Sequence, residues 1–108
     1  MKDIKFRVWD KKSKMWLKRF NVDLLDIDTD ILSAVELCQY TGLKDVNGKE
    51  IYEGDIVRTF GESFIVFYSQ EQVGYLLKDT DGYLETIRTY RVEVLGNIYE
   101  NPELLEEK

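Results

Sequence analysis

The residue types that most often perform catalysis near neutral pH are nearly absent from this 108-residue chain. It contains no histidine and a single cysteine, Cys38. Without histidine, neither a Ser-His-Asp nor a Cys-His arrangement can form, and a structural zinc site lacks its ligands. Cys38 follows Leu37 in an apolar stretch, so we interpret it as a small core residue. The sequence predicts no catalytic, metal-binding or cofactor-binding residues, and we expect that the protein is not an enzyme.

An acidic run, Asp26, Asp28 and Asp30, has the alternate spacing of some calcium loops. A calcium-binding EF-hand loop needs glycine at its sixth position and glutamate at its twelfth. Counted from Asp26, those positions hold Ile31 and Leu37. We therefore interpret the run as a solvated acidic edge.

Glycines punctuate the centre of the chain, in the stretch 39–57. Gly42, Gly48 and Gly54 recur every six residues, which matches neither the dinucleotide fingerprint nor the phosphate-binding loop. We predict that they form turns, and that Asn47-Gly48 forms a type I′ hairpin turn. Asp45 and Asp55 should accept hydrogen bonds from nearby turn N–H groups. The predicted structural turn residues are Gly42, Asn47, Gly48, Gly54, Asp55 and Gly96.

Charge is distributed very unevenly along the chain. Residues 1–20 carry a net charge of +6, whereas the whole chain carries −6. The positive element also contains Trp9 and Trp16, and cationic side chains beside exposed aromatic rings can bind unpaired nucleic acid. If this element forms an interaction surface, we predict that the surface contains Trp9, Lys12, Trp16 and Arg19.

Several interpretations of the basic element remain open. It could dock on acidic regions of its own chain or of a neighbouring subunit, which would favour a homo-oligomer. It could be plain solvated surface, or it could bind single-stranded nucleic acid, which the net negative charge of the rest of the protein disfavours. The acidic body could also mimic nucleic acid and occupy a host protein.

The hydrophobic pattern predicts a mainly-β protein. Residues 4–9 alternate as a half-buried strand does, and Met15–Phe20 reads as the returning strand of a hairpin that places Trp9 opposite Trp16. Between 22 and 37 the pattern is compatible with helix or strand, and we favour short strands. Further strands are predicted at 55–60, 62–69, 74–78, 83–89 and 92–95. Their spacing indicates a small SH3-like β-barrel, closed by a short C-terminal helix with Asn101 as N-cap and Pro102 in its first turn.

The chain is long enough for one domain. We divide residues 1–108 into a basic hairpin (1–20), an acidic strand region (21–38), a glycine-rich connector (39–54), a small barrel (55–100) and a helical cap (101–108). No apolar run is long enough to span a membrane, and the charged N-terminus is unlike a signal peptide. We therefore expect a cytoplasmic protein with no membrane partner.

Two segments resemble a known family. The segment TGLKDVNGKEIYEGDIV (41–57) is similar to the signature of the YopX family, and VLGNIYENPELL (94–105) resembles its closing segment. Arg7, Trp9 and Asp10 near the N-terminus also fit, whereas 60–90 shows no family motif. The resemblance implies the family fold and a bacteriophage or prophage context, with no established activity to carry over. We thus expect an accessory protein that acts through protein contacts, as a homo-oligomer or with a host or phage protein.

Overall fold

The computed structural model describes residues 5–17 and 34–106, and within these residues the protein is mainly β. The strands are β1 Phe6–Asp10, β2 Met15–Trp16, β3 Val35–Lys44, β4 Glu50–Tyr52, β5 Asp55–Thr59, β6 Glu62–Ser69, β7 Gly74–Lys78, β8 Leu84–Glu85 and β9 Glu93–Asn97. A 3₁₀ helix, Pro102–Leu105, follows them. The predicted fold class is confirmed, except that the C-terminal helix is only this 3₁₀ turn.

The first sheet is antiparallel, with the strand order β2-β1-β3-β4. Trp9 lies directly opposite Trp16, as the alternation of residues 4–9 predicted. The connector prediction was wrong in two respects: residues 39–44 are the last six residues of the ten-residue strand β3, and residues 50–52 form β4. Residues 35–38 open that same long strand and do not form a short one; the rest of the predicted strand region lies outside the described residues.

The second sheet has the order β8-β7-β6-β5-β9 and curls into a half-barrel. Strands β5 to β8 follow one another as a meander, and β9 returns to pair with β5. The predicted strands at 62–69 and 74–78 are confirmed to the residue. The predicted strand at 83–89 is reduced to Leu84–Glu85, and the last strand begins one residue later than predicted and runs to Asn97.

The core of the half-barrel contains a residue from the first sheet. Ile51 of β4 is fully buried among side chains of the second sheet. The other buried members of this cluster are Val57, Phe64, Val66, Leu77 and Val92. Burying an aliphatic side chain of this size stabilises a fold by about 1.5–3 kcal/mol. The two sheets therefore share one core.

The tight turns differ from the prediction. Asn47 does not have a positive φ; Asp45 to Gly48 form a turn in which the Gly48 N–H donates to the Asp45 carbonyl, and only Gly48 is left-handed. The two-residue hairpin with positive φ at both positions is instead Phe60-Gly61, with φ values of 55° and 76°. The chain therefore contains a type I′ turn at Phe60-Gly61, although phenylalanine is not a residue that such turns prefer.

Two of the predicted turn glycines, Gly42 and Gly96, have other roles. Gly42 has a φ of 86° inside β3, where the register with β4 shifts, so it forms a bulge and not a turn. Gly54 is left-handed in the turn before Asp55, as predicted. Gly96 lies inside β9, and a Cβ atom there would sit 2.8 Å from Cγ of Asn101 and 3.0 Å from its Cβ. Gly96 is therefore required for close packing and not for a turn.

Asn101 is at the N-cap position of the 3₁₀ helix and Pro102 is in its first turn, as predicted, but the Asn101 side chain does not act as a cap. Its side chain makes no capping hydrogen bond to the 3₁₀ helix, and its Oδ1 instead accepts from the Asn97 N–H at 3.2 Å. Because the 3₁₀ helix has only four residues, a side-chain cap would stabilise it little. The side chain bonds back to β9, where it helps to terminate the sheet.

Candidate interaction surface

The N-terminal hairpin is docked on the C-terminal segment. Trp9 is buried, with 6% of its surface exposed, and its ring stacks on Tyr99 with centroids 5.6 Å apart. Trp16 packs edge-on to Trp9 at 5.0 Å, and its Nε1 donates to Oε1 of Glu100 at 2.7 Å. Trp9 therefore stabilises an internal junction and is not available as an exposed aromatic platform.

Arg7 joins the hairpin to the start of the half-barrel. Its guanidinium donates to the buried carboxylate of Asp55 and lies 4.3 Å from the centroid of Trp16 and 4.6 Å from that of Tyr52. Asp55 also accepts the Tyr52 N–H at 2.8 Å, which confirms its predicted acceptor role. Burial raises the pKa of Asp55, and the guanidinium of Arg7 opposes that rise.

Other basic residues of the hairpin also pair with acidic residues of the same chain. Lys5 bonds to Glu50 at 2.7 Å, and Lys11 lies 3.1 Å from Glu36. These contacts support the hypothesis that the positive element docks on acidic regions of its own chain. Lys12 is exposed in the β1–β2 turn, and Arg19 lies outside the described residues.

Asp45 connects the β3–β4 turn to β9. Its Oδ1 accepts the N–H groups of Asn47 and Lys49, and its Oδ2 accepts the Val94 N–H at 2.8 Å. Burial alone would raise the pKa of Asp45, but these three hydrogen bonds outweigh it and hold the pKa below its ordinary value. The acceptor role predicted for Asp45 is confirmed, and it reaches beyond the turn.

Cys38 is a core residue, as predicted. It is 1% exposed in β3, and its Sγ lies 3.5 Å from the hydroxyl oxygen of Tyr99. Burial raises the pKa of the Cys38 thiol. Because the thiolate is the reactive form, this setting suppresses the chemistry of the thiol. Within residues 5–17 and 34–106, no group of three or more cysteine, aspartate or glutamate side chains is placed to hold a metal ion.

A different surface, which the sequence did not single out, surrounds the Phe60-Gly61 hairpin. Phe60 has a left-handed backbone, and its side chain is 54% exposed. The guanidinium carbons of Arg88 and Arg91 lie 5.9 and 5.4 Å from the centroid of its ring. A bulky residue at positive φ is a rare and strained choice, which local packing must impose or function must require.

A shallow cavity of about 400 Å³ adjoins this hairpin. Its lining combines aromatic rings with carboxylates: Phe60, Phe64 and Tyr83, with Glu62, Asp79 and Glu85. Tyr83 is 55% exposed, so Phe60 and Tyr83 present apolar rings to solvent at its rim. We call this cavity, together with the neighbouring exposed Asp81, the tip groove.

The β7–β8 turn supports the tip groove. Asp79 Oδ1 accepts the N–H groups of Asp81 and Tyr83 at 2.9 and 2.8 Å. The spacing and bonding are the same as at Asp45, which accepts from the second and fourth residues after it. The two Asp-x-(Asn/Asp)-Gly turns are therefore one motif used twice, and a comparison of 45–49 with 79–83 could have revealed it.

The sequence contained one signal for the tip groove. The strands predicted at 55–60 and 62–69 leave only Gly61 between them, whereas the shortest common hairpin turn has two residues. The first strand in fact ends at Thr59, so Phe60 lies in the turn, where asparagine or glycine is preferred over phenylalanine. A phenylalanine at that position is a mismatch between local preference and fold, and such mismatches mark functional sites.

The fold defines the class of protein: a small mainly-β protein in which a docked hairpin sheet and a curled half-barrel share a core. The chain belongs to the YopX family, because residues 5–106 match the family described as "YopX protein". The expected family resemblance is thereby confirmed over nearly the whole chain.

A solved structure has the same fold. The crystal structure of protein EF1440 from Enterococcus faecalis superposes with a TM-score of 0.68 at 23% sequence identity, over 97% of this chain and 99% of that chain. Comparison with the curated proteins finds no match. Among the described residues, no helix is long and apolar enough to cross a membrane.

Proposed function

We propose that this protein is a non-catalytic binding protein that acts through protein–protein contacts made by the tip groove. The observation that carries the proposal is the conformation of Phe60. The residue is strained and more than half exposed, and its side chain is not part of the buried core. Backbone strain of this kind costs about 1–3 kcal/mol, and functional surfaces are where such strain is retained.

The composition of the surface suits a protein partner. Aromatic and arginine side chains are the residue types that dominate binding energy in protein interfaces, and Phe60, Tyr83 and Arg91 are all exposed here. The exposed ring of Tyr90 adjoins them, 5.7 Å from the guanidinium carbon of Arg91. The cavity offers a place for one anchoring side chain. In the setting of the family, such a partner would be another copy of this chain, a phage protein or a host protein.

The alternative of single-stranded nucleic acid has less support. That hypothesis needs exposed rings on the basic hairpin, but Trp9 is buried, and Arg7 is paired with Asp55. The tip groove itself carries carboxylates, which repel a phosphate backbone.

Site-specific photocrosslinking tests the proposal. A benzophenone side chain placed at position 60 should form a protein adduct in extract of bacterial cells that produce the protein. The matched control is the same side chain at position 71, an exposed position in the β6–β7 turn at the opposite end of the half-barrel. No adduct at position 60, or equal adducts at both positions, would contradict the proposal.

A further inference from the structure

The charge of the tip groove identifies the kind of side chain that it fits. Glu62, Asp79 and Glu85 line the cavity, and Asp81 is exposed beside it. Three arginines also surround it: Arg88 neutralises Glu85 in part, at 3.2 Å, Arg91 faces the Phe60 ring, and Arg58 lines the cavity beside Asp81. The four carboxylates still outnumber the three guanidinium groups. A lysine side chain would place its ammonium group among the remaining carboxylates and its methylene stem against Phe60 and Tyr83.

The same chain carries a complementary segment at the β1–β2 turn. Lys12 and Lys14 are exposed there, and Lys14 is one of three non-glycine residues with positive φ in the described part of the chain. The Asp10 carboxylate fixes this turn by accepting the Lys12 N–H at 3.0 Å and the Ser13 hydroxyl at 2.8 Å. The turn is therefore a rigid basic tip.

We propose that the basic tip of one copy, with Lys12 and Lys14, docks in the tip groove of a second copy. The residues that flank this turn, Trp9 and Trp16, pack on Tyr99 and Glu100, which closely follow Asn97, the β9 partner of Asp55 at the start of β5. Phe60 follows the last residue of β5, at its other end. Five residues of β-strand span about 16 Å. This separation favours a tip that belongs to another molecule, and charge complementarity within one sequence supplies the reason for a second copy as the occupant.

The contact joins two different surfaces, so it can close as a two-fold dimer in which each tip occupies the other copy's groove, or it can run head-to-tail. A head-to-tail dimer would leave one tip and one groove unoccupied, so that form of assembly would continue into a ring or a chain of subunits. This inference rests on the proposed function, because it names the partner of the same surface.

Charge reversal with complementation tests the inference. Wild-type protein should form assemblies whose mass increases with concentration, and which dissociate at high salt. Lys12→Glu/Lys14→Glu (variant T) and Glu62→Lys/Asp81→Lys (variant G) should each weaken self-association about tenfold or more. Light scattering or sedimentation would measure both. Lys44→Glu/Lys49→Glu, at exposed positions on the two sides of the β3–β4 turn, changes the net charge as variant T does and should assemble as wild type does.

Mixing the variants gives the sharpest result. Variant T keeps the wild-type groove and variant G keeps the wild-type tip. Each variant alone presents a tip and a groove of the same charge, so neither should assemble with itself. In an equimolar mixture, the acidic tip of variant T meets the basic groove of variant G, and the unchanged tip of variant G meets the unchanged groove of variant T. Both pairs are complementary in charge, so the mixture should restore assembly. A chain with all four substitutions should also assemble with itself.

Two outcomes would overturn the inference. A wild-type protein that stays at 12.8 kDa at every concentration and salt would exclude the second copy. Variants T and G that assemble as wild type does would exclude these two surfaces. In either case, a crosslink from position 60 to a different protein would leave the proposed binding function standing, whereas loss of that crosslink would remove the function itself.

Discussion

Val94 donates its backbone N–H to Oδ2 of Asp45, at 2.8 Å, across the gap between the β3–β4 turn and strand β9. This hydrogen bond joins the first sheet to the edge of the half-barrel. A second bond runs beside it, from the Val46 N–H to the Val92 carbonyl at 3.0 Å. The β3–β4 turn, which the sequence predicts most clearly, therefore also holds the two sheets together. We call this role of Asp45 a clamp.

Asp45→Asn should lower the free energy of unfolding by about 1–3 kcal/mol, because one carboxylate oxygen becomes an NH₂ group that cannot accept from a backbone N–H. Asp79→Asn is the matched control. The Asp79 turn bonds use Oδ1 alone, so an asparagine can preserve them. Urea denaturation measures both, and equal losses in the two variants would refute the clamp role of Asp45.

Gly96→Ala should destabilise the fold by about 1–3 kcal/mol, because the new Cβ atom would overlap the side chain of Asn101. Gly74→Ala is the control, since the nearest atom to a Cβ there is a carbonyl oxygen at 3.9 Å. The double variant Gly96→Ala/Asn101→Gly should recover part of the loss. Thermal unfolding that shows no recovery would mean that the overlap is not the cause.

Phe60→Asn should leave the free energy of unfolding unchanged or raise it by up to about 1 kcal/mol. Asparagine before glycine is the preferred pair in a type I′ turn, and relief of strain offsets the loss of weak contacts with Arg88 and Arg91. Phe64→Ala, at a buried position of the adjoining strand, should cost about 3–5 kcal/mol in the same assay. A loss above about 1 kcal/mol in Phe60→Asn would show that Phe60 supports the fold, which would remove the basis of the proposed function.

Stability should fall at alkaline pH because of Tyr99. Burial, and then the contact with Cys38, raise the pKa of the Tyr99 hydroxyl well above its ordinary value. The unfolded phenol ionises near pH 10, so the contribution of Tyr99 is fully present below about pH 10 and is lost as pH rises from there through the folded pKa. Tyr99→Phe should show a smaller alkaline loss in urea midpoints measured between pH 8 and 11. Tyr90→Phe is the control at an exposed ring, and identical pH profiles for wild type and Tyr99→Phe would contradict the prediction.

Local patterns predicted the elements whose residues interact mainly with their neighbours in sequence. The strands at 62–69 and 74–78, the Trp9–Trp16 pairing and the left-handed Gly48 and Gly54 all depend on alternation or on turn chemistry within a few residues. The same reasoning failed for Gly42 and Gly96. Their backbone geometry is set by a register shift and by the side chain of Asn101, neither of which has a local signal.

The candidate site shows the same division. Composition excluded histidine-dependent catalysis, and charge asymmetry identified the basic turn around Lys12, because both follow from residue types alone. The sequence placed Trp9 in a conditional interaction surface but could not show that its ring is buried, because that burial depends on Tyr99, ninety residues away in the chain. Phe60 was missed because its significance comes from a positive φ, which only the pairing of β5 with β6 imposes.

The sequence by itself determined that this is a small mainly-β protein of the YopX type, with tight turns at its aspartate–glycine segments and opposite charges in its two parts. The period of hydrophobic residues and the preferences of turn residues depend on near neighbours in the chain, so both can be read from the sequence. Only the tertiary structure decided which aromatic rings are buried, which charges are paired, and which exposed residues have a left-handed backbone. Those outcomes depend on contacts between residues far apart in the chain, where packing and hydrogen bonding outweigh local preference.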